Sequence, residues 1–291
     1  MDVVICLASK DYQIVKKNVR YIRQYLQKDM DTVYLLSNQT NKIFFSDRWL
    51  QKYHAVFVDE DSMLKGLSFS HIYQTLKSHF KCTIYAGWYL QQFLKMGFAL
   101  TSYAQKQYLI WDSDTFPLRY MSFWENGKYY FTVKEENHKP YFETLQNLFG
   151  FGKLCESSFI AEHMPVDVEV MKELITTVNK LDVQGNYWFD KIIYATSGVD
   201  EQAFSEFETY GTYCMKYYPD IFELRNLRTL REAGMLFGRG VKKRNLAVLA
   251  KMNFDVASFE LRHIPPFPHN IYYWLDRGFL ALLRRLDIIK K

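Results

Sequence analysis

Tyr108-Leu109-Ile110-Trp111-Asp112-Ser113-Asp114-Thr115-Phe116-Pro117 changes character in its middle: a large apolar run gives way to two carboxylates with one serine between them. The run Tyr108–Trp111 is short, bounded, and rich in aromatic and branched side chains, which predicts a buried strand. Two carboxylates spaced in this way just past a strand can face one ion. A departing phosphate group develops negative charge that a divalent cation neutralises. Mn²⁺ or Mg²⁺ takes oxygen ligands octahedrally, from few protein carboxylates plus substrate phosphates. Asp112 and Asp114 are therefore candidate metal ligands, and Asp112 also a candidate contact to a bound nucleotide. The competing reading is local, because Asp-Ser-Asp is also good turn chemistry.

Outward from this stretch, strand-like and helix-like segments alternate. Val3–Leu7, Thr32–Leu36 and Ala55–Val58 read as buried strands, and a helical pattern runs through Val15, Val19, Ile22 and Leu26. Helical stretches around Ile72–Phe80 and Trp88–Ala99 precede the strand Tyr108–Trp111. Such alternation predicts βαβ units, hence an α/β fold with a mainly parallel sheet flanked by helices. In open sheets of this class ligands bind beyond the carboxyl ends of the strands. Three polar loops fall there: Ala8–Asp11, Asp59–Asp61 and Asp112–Asp114. After Pro117 the pattern loosens. Tyr129–Val133 reads as a strand and Asp167–Asn179 as a helix, while Phe189–Thr196 and Phe204–Tyr210 read as parts of a more irregular half. There is no internal repeat and no low-complexity linker.

Composition narrows the class. With 291 residues, 48% hydrophobic and 24% charged, the chain can bury a sizeable core and does not read as disordered. Cys6, Cys82, Cys155 and Cys214 are scattered without a CxxC pair, which argues for a reducing compartment and against a disulfide framework or a zinc site. Met1–Leu7 lacks a basic leader and reads as a first strand, and no stretch approaches the roughly 20 apolar residues of a membrane span. A cytoplasmic protein is expected. The formal net charge of +5 is uneven: between Glu223 and Lys251 eight basic and two acidic residues leave a net +6. An anionic partner is expected for that region, either phosphate, lipid headgroup or nucleic acid.

Other candidates follow from spacing. Trp88, Gln91, Gln92 and Lys95 share one helical face, within reach of a bound diphosphate or sugar if that face lines a cleft; otherwise they form a surface helix with a snorkelling lysine. Glu206 and Glu208 alternate with Phe204, Phe207 and Tyr210. As a strand this places both carboxylates on one side, and as a short helix only one of them faces a cleft. Either is a candidate general base, Glu208 favoured, or both bind hydroxyls. His163, after Phe159-Ile160-Ala161-Glu162, is a candidate for the lining of a ligand pocket. Residues 269–291 form a distinct unit in which Ile271, Trp274, Leu275, Phe279, Leu282, Leu283, Leu286 and Ile289 recur at helical spacing beside Arg277, Arg284, Arg285, Lys290 and Lys291. A basic, Trp-bearing amphipathic helix either lies on a membrane or packs on its own domain.

Asp112-Ser113-Asp114-Thr115 also fits the nucleophile string of haloacid-dehalogenase-type phosphatases. That family places its motif near the N-terminus and adds a later lysine and a second acidic pair after another strand, which this chain does not offer. Ile110-Trp111-Asp112-Ser113-Asp114-Thr115-Phe116-Pro117 instead resembles the DxD segment of GT-A glycosyltransferases. With Gly87-Trp88-Tyr89-Leu90-Gln91-Gln92-Phe93-Leu94-Lys95 and Ser205-Glu206-Phe207-Glu208-Thr209-Tyr210-Gly211, the chain resembles a bacterial DUF6492-like group of uncharacterised glycosyltransferases found with polysaccharide genes. The resemblance covers roughly residues 1 to 215, with these segments in that order.

The resemblance implies a GT-A-like (Rossmann-like) catalytic domain over residues 1–268, with a nucleotide-binding half at 1–116 and an acceptor half at 117–268, followed by the basic amphipathic helix at 269–291. It implies that Ser9, Lys10 and Asp11 touch base, ribose or diphosphate, and that Asp59 bonds a uracil or ribose. By position it offers His263 as an additional metal ligand, with a structural histidine as the alternative. It also implies a metal-dependent transfer of sugar from a nucleotide-sugar donor, a UDP-sugar above all, to a surface-polysaccharide or lipooligosaccharide acceptor, free or lipid-linked, with inversion. The expected setting is the cytoplasm or the inner face of its membrane, with no nucleic-acid partner. The readings set against it are the phosphatase and a non-catalytic, membrane-associated carbohydrate-binding protein.

Overall fold

In the computed structural model the apolar N-terminal run forms the strand Asp2–Cys6, with every residue buried. The structure describes residues 1–26, 30–198, 201–238, 241–260, 267–268 and 270–289. The fold is α/β, with a mostly parallel sheet flanked by helices, as the alternation of segments predicts. The chain divides into two units, Met1–Asp59 with Trp111–Phe123 and Asn226–Lys291, and Glu60–Ile110 with Trp124–Arg225.

In the first unit, Asp2–Cys6, Val33–Ser37 and Ala55–Asp59 run parallel, Val33–Ser37 in the middle. Parallel strands need crossovers, and the helix Tyr12–Tyr25 supplies the first, burying Ile14, Val15, Val19 and Ile22. Arg23 on that helix donates to the carbonyls of Met30, Asp31, Tyr53 and His54, which ties together the loops entering the second and third strands. A small second sheet joins Thr115–Pro117 antiparallel to Val256–Ser258, itself parallel to Thr229–Leu230. Ile14, Phe116, Leu118, Leu246, Leu249 and Phe259 pack into one core there.

In the second unit Gln107–Ile110, the greater part of the strand Gln107–Trp111, lies beside His163–Asp167. Lys128–Thr132 pairs with Trp124–Glu125 and with Phe222–Arg225. Helices make up the remainder. Val168–Asn179 starts where sequence places it, because the Asp167 carboxylate accepts from the amides of Glu169 and Val170. The expectation of an irregular half needs correction: Trp188–Ala195 and Glu206–Tyr217 are regular helices. The first is fixed by Asp190, which accepts from the amides of Asn186 and Tyr187 and faces His71 Nε2 at 2.6 Å.

Gly211, in the second of these helices, lies against the ring of Phe159, and a β-carbon there would sit 2.3 Å from that ring. Such an approach requires the ring or the helix to move. Gly211→Ala is therefore expected to destabilise the protein by about 1–3 kcal/mol, the usual cost of overpacking a core. Urea unfolding measures this, and a midpoint equal to wild type would show that Phe159 yields freely.

Candidate active site

The parallel strands of the first unit end in polar groups that bond one another. Ser37 Oγ donates to the Leu7 carbonyl at 2.7 Å, and Asn41 Nδ2 donates to Ser37 Oγ at 2.9 Å. Asp59 Oδ1 accepts from the Gln39 amide at 3.1 Å, so one oxygen of this candidate already orders the neighbouring loop. In the loop after the first strand, Asp11 is buried and its carboxylate accepts from the Ala8 amide, a cap for the turn Ser9–Asp11. Lys10 is exposed, whereas Ser9 is fully buried and accepts a bond from Arg284 Nη2 at 3.0 Å. Of the three, Lys10 alone points its chemistry at solvent.

Asp112-Ser113-Asp114 forms the turn between Gln107–Trp111 and Thr115–Pro117. Its backbone is bound on several sides. Asn18 Nδ2 donates to the carbonyls of Asp112 (3.3 Å) and Ser113 (3.2 Å), the Phe259 amide to the Asp114 carbonyl (2.9 Å), and Trp111 Nε1 to the Thr115 carbonyl (2.6 Å). Thr115 Oγ1 and Ser258 Oγ lie 2.8 Å apart, which locks the following strand. The backbone is thus fixed while Asp112 and Asp114 themselves are partly exposed. Sequence reading missed Asn18. Its signal was present as a polar residue within the otherwise apolar face Ile14, Val15, Val19 and Ile22.

Two carboxylates on a fixed turn fit Mg²⁺ or Mn²⁺, which accept few protein carboxylates and complete their shells with water and phosphate. Among the described residues there is no group of three or more His, Cys, Asp or Glu able to hold a metal. His263 lies outside the described residues.

In the second unit, the segments Gly87–Lys95 and Ser205–Gly211 meet. Lys95 Nζ is 2.7 Å from Glu206 Oε1, with side chains only 5% and 6% exposed. Gln92 Oε1 accepts from the Glu206 amide at 3.1 Å, and Lys95 lies 4.6 Å from the centre of the Phe207 ring. Trp88 and Gln91 on the same helix are half-buried. The face predicted for a cleft or for solvent is largely internal, so the snorkelling alternative does not hold for Lys95.

Ser205-Glu206-Phe207-Glu208 is a helix start. Ser205 Oγ accepts from the Glu208 amide at 3.2 Å, the serine half of a capping box. Glu208 turns away from the reciprocal bond and accepts from Ser158 Oγ at 2.6 Å and the Phe159 amide at 3.0 Å. Of the two geometries open to this segment, the helix is the one formed. Neither carboxylate is presented to solvent: Glu206 is committed to Lys95, and Glu208 is buried against Ser158. Burial pushes the Glu208 carboxyl up, against the lowering effect of its hydrogen bonds. The Ser-x-x-Glu spacing was the sequence signal for this cap. His163 is fully buried in the strand His163–Asp167, 2.8 Å from Thr132 Oγ1, and burial with Arg225 and Lys134 nearby holds its ring neutral. It belongs to the interior.

Removing one partner of a buried pair leaves an uncompensated charge, so Glu206→Gln and Lys95→Met are each expected to cost about 3–5 kcal/mol in urea unfolding, with the double variant Lys95→Met/Glu206→Leu recovering most of it. Additive losses would refute a coupled pair. For Glu208 the folded carboxyl titrates above its unfolded value of 4.5. The folded state therefore holds the proton more tightly. Its stability contribution is complete below about pH 4.5 and is lost as pH rises through the folded value. Glu208→Gln should remove that loss: the variant matches wild type near pH 4 and is at least as stable at pH 7, and a variant less stable at both would show that the charged form is the one favoured.

No family model matches the chain, and no curated protein matches it. Among solved structures, the chain is similar to the apo form of mouse xyloside xylosyltransferase 1, at 11% identity and a TM-score of 0.48 over 92% of this chain and 100% of that one. It is similar to the galactosyltransferase LgtC with donor and acceptor sugar analogues, at 12% identity and 0.43 over 97% and 95%. It is also similar to the bifunctional glycosyltransferase WbbM, at 12% and 0.45, where it spans 95% of its own length and 51% of that chain. Likenesses of this extent do not carry a functional argument, and the residues do.

Proposed function

We propose that the protein is a GT-A-type glycosyltransferase that transfers a sugar from a nucleotide-sugar donor, a UDP-sugar foremost, to a glycan or lipid-linked glycan of surface polysaccharide or lipooligosaccharide at the inner face of the cytoplasmic membrane. The observation that carries the reading is the Asp112-Ser113-Asp114 turn, whose backbone is pinned and whose two aspartates are partly exposed residues. Support comes from its place at a strand's carboxyl end, where α/β sheets bind ligands, in the same unit as the polar strand ends at Ser9–Asp11 and Asp59. Asp112 and Asp114, with His263 as an additional candidate ligand, would hold a divalent cation, which when bound would supply charge neutralisation for a leaving diphosphate.

The chain's own residues do the positioning. Asn18 holds the backbone carbonyls of Asp112 and Ser113, the turn from which the two carboxylates project. Lys10 and Asp59, beside the ends of the first and third strands, are the proposed contacts to diphosphate and to ribose or base. For an inverting displacement a base must take the acceptor proton. Glu208 is the candidate in keeping with its raised carboxyl, and its burial means that this role requires the Ser158 contact to open. The role of His163 as a pocket residue finds no support in its burial.

Asp112→Ala and Asp114→Ala are each expected to lower sugar transfer and donor hydrolysis by about 10²-fold or more, the scale lost with one transition-state electrostatic contact. Activity undiminished in both variants, or in excess chelator, would remove the proposal. Asn18→Leu, which keeps the volume and deletes both hydrogen bonds, should weaken Mn²⁺-dependent binding of UDP by about 10-fold or more, as for supporting groups behind metal ligands. Calorimetric titration measures this, and an affinity equal to wild type would show that the turn holds itself.

A further inference from the structure

The C-terminal helix Asn270–Arg285 presents its apolar side outward. Ile271, Leu275, Phe279, Leu282 and the following Leu286 are all exposed, from 46% to 65%. At 100° per residue these five fall within an arc of about 80°, a single stripe. Trp274, 57% exposed, and the exposed Arg285 flank the stripe along one edge. Leu280 and Arg284 lie on the opposite side. Leu280 is buried, and Arg284 donates to the buried Ser9 hydroxyl of the loop after the first strand. A helix packed on its own domain by its apolar stripe would show the reverse arrangement. Here the seat is a leucine and a guanidinium, and the stripe is left outside.

A second element of the same unit repeats the chemistry. The helix Lys243–Lys251 buries Leu246 and Leu249 and exposes Lys243, Arg244, Val248, Lys251 and then Met252. Apolar and cationic side chains are mixed on its outer face, with no acidic residue in the helix. On the C-terminal helix Arg277 and Arg285 are exposed, and Arg285 lies at the edge of the stripe. No helix among the described residues is long and apolar enough to cross a membrane.

We infer that the outward stripe of the C-terminal helix is a docking surface for an anionic lipid bilayer, in which the helix lies flat. An interfacial helix has this composition: aromatic and leucine side chains reach the acyl boundary, while Arg285 at the edge, with Lys243, Arg244 and Lys251 of the second helix, supplies cations for lipid phosphates. A soluble protein partner of opposite charge would need to cover a stripe that is apolar at its centre and basic at its edge. A bilayer offers both layers in that order. The inference names the partner of one surface of the proposed transferase, yet it rests on exposure and charge and not on the transfer reaction.

The test uses the full chain and extruded vesicles of phosphatidylcholine alone or with phosphatidylglycerol, read by co-sedimentation. Partition is expected to be at least tenfold stronger with the anionic lipid and to weaken in high salt. Leu275→Glu/Phe279→Glu, both at exposed positions, should lower partition at least tenfold while leaving the thermal midpoint unchanged. Brominated acyl chains should quench tryptophan fluorescence in wild type, and quench it less in Trp274→Phe. Equal binding to both vesicle types, or binding unaffected by the double variant, overturns the inference. So does a dimer in solution that the double variant dissolves, since the stripe then belongs to a second copy. Donor hydrolysis without vesicles reports separately on the transferase reading.

Discussion

The amide of Asn18 holds the carbonyls of Asp112 and Ser113, and the candidate site depends on that pair of hydrogen bonds. A turn that follows a buried strand exposes its backbone polar groups to an interior that cannot solvate them. Each of those groups needs a partner, and an asparagine on the helix behind supplies one donor group for two of them. The helix can provide it because Asn18 lies on its buried face, between residues that fill the core. Packing the helix and fixing the turn are thus one event. The two aspartates thus project from a backbone that is held on several sides.

The second unit solves a different problem. Glu206, Glu208, Gln92 and Lys95 are all buried, and each has a named partner or ring against it. Burying a lysine and a glutamate together is tolerable only when the pair is close and its remaining hydrogen-bond capacity is met. The segment Ser205–Gly211 therefore combines a helix cap, a buried ion pair, a carboxylate that ties down Ser158 and Phe159, and a glycine that admits the Phe159 ring. Every one of these needs a particular residue type, so a short, specific sequence string follows from structure alone.

The C-terminal helix shows how exposure reverses a sequence pattern's meaning. Periodic leucines beside arginines describe equally well a helix laid on its domain and one laid on a lipid surface. The stripe faces outward because the opposite side is the one seated, with Leu280 in the interior and Arg284 on Ser9.

By itself the sequence determined the α/β class, the three parallel strands of the first unit, the helix between the first two and the acidic turn after Trp111. All of these rest on local signals: period, run length, breakers and the abrupt change from apolar to charged. Asn18 and the Ser205 cap were visible in the same letters but needed a partner distant in sequence before their meaning was clear. Tertiary structure alone decided that Lys95 pairs with Glu206, that Glu208 is committed to Ser158, that His163 is interior and that the C-terminal stripe faces outward. Those outcomes depend on which surfaces desolvate one another, and desolvation is a property of packed neighbours that no single segment of chain contains.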